Sequence, residues 1–183
     1  MSAYQQQYIQ TKIDKTYELR SFLPSDAEGL QSFFHQSAFE STHTLHYKER
    51  PISISKLQAR IKAASDFPSD LFVGIFDKNK IIGQLYFRVL HPDHPWIKHI
   101  GEFGMTILKD YWGQGIGTQL LQYMENFAIN KGVSRIEAKV RTTNEQAIAL
   151  YKKFGYEIEG TRKMAALING SFEEEFYIAK LIF

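Results

Sequence analysis

A chain of 183 residues with 44% hydrophobic content has the length and apolar share of one compact domain, so a single domain spanning residues 1–183 is the expectation. Its 22 basic and 20 acidic residues nearly cancel, which leaves no field of the strength that draws nucleic acid; the lack of cysteine removes disulfides, thiol nucleophiles and Cys-ligated zinc together. The polar, Gln-rich stretch Met1 to Gln10 has neither a basic start nor an apolar centre, and no apolar run approaches the roughly 20 residues of a membrane span, so a cytoplasmic protein without a membrane partner is expected.

Residues 1–14 read as a loose lead-in, and Lys15 to Arg20 as a first strand. Pro24, Ser25 and Asp26 supply a helix start, with Ala27, Leu30, Phe33 and Phe34 as its apolar stripe. His35 to Arg50 shows no clean period. Pro51 to Ala64 predicts a second helix that starts near Ser53 or Ser55 and turns Leu57, Ile61 and Ala64 inward. Leu71 to Phe76 and Ile81 to Leu90 are strands joined by the turn Asp77-Lys78-Asn79-Lys80. His91 to His99 is a loop before a strand from Ile100 to Leu108. Ile116, Leu120, Leu121, Met124, Phe127 and Ala128 then recur at helical spacing, and Gly132 stops that helix. Ser134 to Val140 alternates Ile136, Ala138 and Val140 with charged residues, so residues 100–140 predict a strand, a crossover helix and a parallel strand. Asn144 caps a short helix that Gly155 ends, and Asn144 and Tyr151 share one face of it with the small Ala147 between them. At the end, Asn169-Gly170 joins Thr161 to Ile168 with Ser171 to Ile182 as a hairpin.

The segment Tyr111-Trp112-Gly113-Gln114-Gly115-Ile116-Gly117-Thr118 sets three alternate glycines between a strand and a helix. Glycines at a helix N-terminus let several N–H groups approach phosphate oxygens, and the helix dipole favours their charge. A ligand carrying a diphosphate follows. A dinucleotide fingerprint would need glycine where Thr118 stands, at the first strand-to-helix turn of its domain, and a nucleoside-triphosphate loop would need a Gly-Lys-Ser/Thr ending; the chain has neither.

With this loop and the run Asn144-x-x-Ala147-x-x-x-Tyr151-x-x-x-Gly155, residues 100–156 resemble the GNAT superfamily of acetyl-CoA-dependent N-acetyltransferases. The Trp112-Gly113 pair is similar to the branch that contains ribosomal-protein N-terminal acetyltransferases. The resemblance implies an α/β (α+β) fold with a mixed central sheet of about six to seven strands and about four helices. It also implies acetyl-CoA as cosubstrate, with Gly113, Gln114, Gly115, Ile116, Gly117 and Thr118 at the pyrophosphate, the strand edge Met105 to Ile107 along the pantetheine arm, and Asn144 and Tyr151 facing the cofactor. The family's loop often opens with Gln or Arg where this chain has Trp112, so one side-chain contact to phosphate is missing there. Dimerisation is common in the family, which makes a homodimer a possible assembly.

Transfer of an acetyl group to an amine needs an acid for the departing thiolate and an acceptor for the amine's proton. Tyr151 is the expected acid, since a phenol of reference pKa about 10 matches a thiol; its bland alternative is a buried aromatic on an amphipathic helix. Glu102 is the expected base, and its alternative is an ion pair with a neighbouring cation. His91, His94 and His99 are other bases, although solvated histidines of a Pro-rich loop are commoner. Those three with His43 and His46 lack the ligand count and placement of a metal centre, so no metal is expected. Glu173-Glu174-Glu175 reads as the outer face of a strand or as an attractor of a cationic substrate. A peptide N-terminus, a polyamine and an amino sugar are the candidate acceptors, in that order, and a non-catalytic acetyl-CoA sensor is the rival function.

Overall fold

The computed structural model describes residues 6–44 and 49–182. In chain order these form β1 (Gln6–Gln10), β2 (Thr16–Ser21), α1 (Ala27–Glu40), α2 (Ile54–Asp66), β3 (Leu71–Asp77), β4 (Lys80–Val89), β5 (Ile100–Ile107), α3 (Ile116–Asn130), β6 (Arg135–Arg141), α4 (Glu145–Lys153), β7 (Glu157–Ile168) and β8 (Ser171–Leu181). The strands join in the order β1-β2-β3-β4-β5-β6-β8-β7, a mixed sheet with one strand more than the upper expectation. The chain clusters into two compact units, Met1–Phe87 with Met105–Met124 and Arg88–Gly104 with Glu125–Phe183.

The additional strand is β1, which corrects the loose lead-in expected over residues 1–14; residues 1–5 lie outside the described residues. Of its five residues only Ile9 is buried, so the sequence shows no apolar alternation there. It pairs antiparallel with β2 from Gln6↔Arg20 to Gln10↔Thr16. The turn between them closes through the Thr11 N–H on the Lys15 carbonyl at 2.8 Å and the Lys15 N–H on the Thr11 hydroxyl at 3.1 Å.

In the first unit, the expected stripe of α1 meets that of α2. Leu30, Phe33, Phe34, Leu57 and Ile61 pack with Phe22, Phe72, Phe76, Ile81 and Leu108 in one buried cluster, each large side chain contributing about 1.5–3 kcal/mol by leaving water. Ser53 caps α2 by accepting the Lys56 N–H. A methyl group on Gly74 would stand 2.5 Å from the Phe22 ring, so only glycine admits that ring against β3. Asp26 holds the entry to α1 by taking both Arg20 guanidinium nitrogens, at 2.6 and 2.9 Å, and the Leu23 N–H at 2.7 Å.

The second unit is organised on β6, which pairs with β8 antiparallel from Arg135↔Leu181 to Arg141↔Glu175. β8 pairs onward with β7, whose ladder shifts register between Ile158 and Gly160 and again between Arg162 and Ala166. Asn169 and Gly170, with φ of 51° and 83°, form the hairpin turn that their dipeptide predicts. The Glu173-Glu174-Glu175 run differs from the outer charged face expected. Glu175 is buried and meets Arg141, also buried, at 3.2 Å and Arg162 at 3.4 Å. Glu173 lies 3.8 Å from Arg141, and Glu174 alone is exposed. The reason is pairing: a buried guanidinium on β6 needs carboxylates opposite it.

Candidate functional site

In the first unit β5 ends and a short 3-10 turn, Lys109–Tyr111, leads into the glycine loop. Gly113 and Gly115 have φ of 74° and 87°, a region that other residues enter only at a cost, so both glycines are required by the path of the backbone. α3 begins at Ile116, and its first N–H groups have no partner one turn back. None of the N–H groups of Gly113, Gln114, Gly115, Ile116, Gly117 and Thr118 meets an acceptor among the described residues. This is a concave run of donors at the positive end of a helix dipole, suited to phosphate oxygens.

Side chains fix the loop from outside while leaving those donors open. Glu40 accepts the Lys109 N–H at 2.7 Å. Gln114 is buried; its Oε1 accepts from the Tyr17 hydroxyl at 3.1 Å and its Nε2 donates to the Asp110 carbonyl at 3.2 Å. The Gln114 carbonyl accepts the Lys12 N–H at 3.1 Å, and the Gln119 amide donates to the Gln10 carbonyl. Tyr111 donates to Asp77 at 3.2 Å; burial first, then that hydrogen bond, pushes its phenol up to about 12, and burial with the charge of Asp77 raises Tyr17 as well. Both phenols therefore remain protonated donors at neutral pH.

The Trp112 side chain is engaged by the strand that precedes the loop. Its indole N–H donates to the Ile107 carbonyl at 2.7 Å and so ties the loop to the strand before it. That carbonyl identifies an open edge. The Leu108 N–H bonds to Ile82 of β4 at 2.9 Å, so the Ile107 carbonyl and N–H point away from β4, as do those of Met105 two residues earlier. The register of β5 with β6 covers only Ile100↔Arg135, Gly101↔Ile136 and Glu102↔Glu137. Met105 and the Ile107 N–H thus offer the unpaired groups that an extended amide-bearing chain uses.

In the second unit Glu102 lies beside cations, the ion-pair alternative. Its Oε2 accepts from Arg88 at 3.0 Å and its Oε1 stands 3.8 Å from the Lys139 ammonium. It lines an open groove of about 310 Å³ with Leu90, Arg135, Glu137, Lys139 and Tyr177. Arg135 is engaged by Glu137 at 2.6 Å and by Glu159. Phe103, the next residue on β5, points to the opposite face. There its ring meets Tyr151 at 5.6 Å and Tyr156 at 5.7 Å, with Tyr151 and Tyr156 5.8 Å apart. The Glu102 carboxylate and the Tyr151 ring consequently belong to opposite faces of β5.

Tyr151 is 7% exposed, a buried aromatic of α4 packed against Phe103 and Tyr156. Burial, then the neighbouring Glu125 carboxylate and Tyr151, drive the Tyr156 phenol far upward, so it stays protonated. Beside it the buried Glu125 takes the Lys180 ammonium at 2.7 Å. Asn144 caps α4, its Oδ1 accepting the Ala147 N–H at 3.2 Å, which leaves its amide NH2 for another partner. Among the described residues no group of three or more His, Cys, Asp or Glu is placed to hold a metal ion, and His46 lies outside them. No described helix is long and apolar enough to cross a membrane.

Residues that the sequence reading missed are the loop's outside supports, Glu40, Lys12 and Tyr17, and, in the second unit, Arg141 as the buried partner of Glu175. Each reaches its partner from a distant part of the chain, and no local spacing announces that.

The chain is similar to several known proteins. An L-amino acid N-acetyltransferase of Escherichia coli is 34% identical over 102 residues, 55% of this chain and 62% of its own length. A ribosomal-protein-serine acetyltransferase of the same organism is 27% identical over 109 residues, 59% of each chain. The match thus spans about three-fifths of these relatives. An acetyltransferase of the GNAT family from Streptococcus pneumoniae superposes with a TM-score of 0.82 over 90% of this chain and 98% of its own, at 27% identity. Residues 32–156 match the Acetyltransferase (GNAT) family, and with the sheet, loop and helix above the chain belongs to that family.

Proposed function

We propose that the chain is a single N-acetyltransferase domain that moves the acetyl group of acetyl-CoA to a primary amine by direct attack in a ternary complex. The observation that carries this reading is the tethered glycine loop, whose six successive N–H groups meet no acceptor among the described residues at the start of α3. A loop that merely turned the chain would have no need of so many outside supports holding its donors free.

In this reading the N–H groups of residues 113–118 hold the pyrophosphate, and Met105 and Ile107 pair with the amides of the pantetheine arm. A strand-edge N–H polarises the thioester carbonyl, a contribution of about 3 kcal/mol to the barrier. The amine approaches from the Glu102 side, loses its proton to that carboxylate directly or through water, and attacks the carbonyl carbon. After attack the nitrogen gives up its second proton to solvent; the tetrahedral oxyanion collapses, the C–S bond breaks, Tyr151 protonates the thiolate, and solvent returns a proton to the phenolate. Asn144 orients the cofactor through its free amide.

The charged groove around Glu102 suits an amine that arrives as a cation, with Lys139 beside it for an acceptor carrying an anionic group. A peptide N-terminus leads, followed by a polyamine and an amino sugar, and the similarity to an amino-acid acetyltransferase adds free amino acids to the panel. Thiol release from acetyl-CoA is the test, and a chain without cysteine contributes no background. Release stimulated by one acceptor class is expected. Tight acetyl-CoA binding without stimulation by any class would favour the non-catalytic sensor.

A further inference from the structure

The glycine loop contains no cation between Trp112 and Thr118, and the side chain at its opening is spent on the Ile107 carbonyl. Backbone N–H groups carry only partial charge, whereas a diphosphate brings two full negative charges into the cradle, so a cation from elsewhere has a role to fill. The turn between β1 and β2 presents one. The turn and its flanking strands meet the loop region at three points: the Lys12 N–H on the Gln114 carbonyl, the Tyr17 hydroxyl of β2 on the Gln114 side chain, and the Gln10 carbonyl of β1 under the Gln119 amide. From there the Lys12 side chain runs across Gly115. Its Cγ, Cε and Cδ lie 3.3, 3.5 and 3.6 Å from where a β-carbon of Gly115 would stand, and the ammonium sits one bond beyond Cε. Lys12 is exposed, and among the described residues no carboxylate pairs with its ammonium.

We propose that Lys12 is a phosphate-binding residue, supplying to the cosubstrate's diphosphate the charge that the Trp112 position lacks; this rests on the acetyl-CoA reading above. It also gives β1 a purpose. The strand has little apolar surface to contribute, but it fixes the backbone from which Lys12 reaches the loop. Gly115 is then glycine for two reasons, its φ of 87° and the passage of the lysine stem over it.

The test is equilibrium titration of acetyl-CoA and acetyl-dephospho-CoA into the wild type, Lys12→Gln and Lys12→Arg, at low and high salt. Lys12→Gln keeps the backbone bond to Gln114 and a polar side chain while removing the charge. It is expected to weaken both thioesters equally, by about tenfold at low salt and by less at high salt, and Lys12→Arg is expected to restore most of that loss. Unchanged binding in Lys12→Gln, or a loss that ignores salt, would overturn the proposal. A loss confined to acetyl-CoA would overturn it too, by assigning the lysine to the 3′-phosphate. If the wild type itself fails to bind acetyl-CoA, the acetyltransferase reading falls; if only the variant's effect is missing, Lys12 alone is withdrawn.

Discussion

From Gly113 to Thr118 the proposed working groups are backbone N–H donors, and the side chains around them are supports. Around Glu102 and Tyr151 the proposed working groups are side chains already engaged, the carboxylate by Arg88 and Lys139 and the phenol ring by Phe103 and Tyr156. On the proposed function the first region serves binding and should tolerate little change in backbone, and the second serves chemistry and should tolerate change in shape better than loss of one functional atom. The difference teaches where to look for each kind of defect: affinity should follow the loop, and turnover should follow the two side chains.

The largest effect is expected from Tyr151→Phe. It keeps the edge-to-face ring contact with Phe103 and removes only the hydroxyl, so turnover should fall by about 10³-fold while acetyl-CoA affinity stays within about twofold. Comparable losses of rate and affinity would reduce Tyr151 to a packing residue and erase the contrast. Next comes Gly115→Val, which forces a branched side chain into a φ of 87° and against the Lys12 stem. Strain of about 3 kcal/mol, and displaced donors, should lower acetyl-CoA affinity by about 100-fold in a calorimetric titration. A protein that binds normally would show that the loop N–H groups do not hold the cosubstrate.

A smaller change separates support from contact. Trp112→Phe deletes the hydrogen bond to Ile107 and keeps an aromatic ring, so a loss of about 1 kcal/mol, roughly fivefold in affinity, is expected. No loss would mean that Glu40, Gln114 and Lys12 hold the loop without it. The smallest effect touches neither region but the frame beneath the first. Burial pushes the Asp26 carboxyl up, but the hydrogen bonds from Arg20 and Leu23 and the Arg20 charge outweigh it and hold the carboxyl below its ordinary range. Its stabilisation is therefore complete above the unfolded value of about 3.9 and is lost as pH falls through the lower folded value. Melting temperature measured from pH 6 down to pH 2 should show an acid limb that Asp26→Asn flattens.

Much of the frame was legible because it depends on neighbours in sequence. Ala27, Leu30, Phe33 and Phe34, the Ser53 cap, the Asn144 cap and the Asn169-Gly170 turn are each decided within one or two helical turns or a single dipeptide. The glycine loop was legible for the same reason. β1 was not, because a strand with one inward residue has no period to detect, and its identity rests on pairing with β2. The inward turn of Glu175 was hidden because it depends on Arg141 across the β6–β8 ladder. Lys12 was hidden most deeply, since nothing near Thr11 or Lys15 refers to a loop that begins at Gly113.

Direct transfer in a ternary complex is the central claim, and initial velocities measured while acetyl-CoA and the responsive amine are both varied test it most directly. Double-reciprocal lines that intersect are predicted, with free thiol and N-acetyl product formed in equal amounts. Parallel lines, with a burst of thiol before the amine is added, would show an acetylated enzyme and contradict the account.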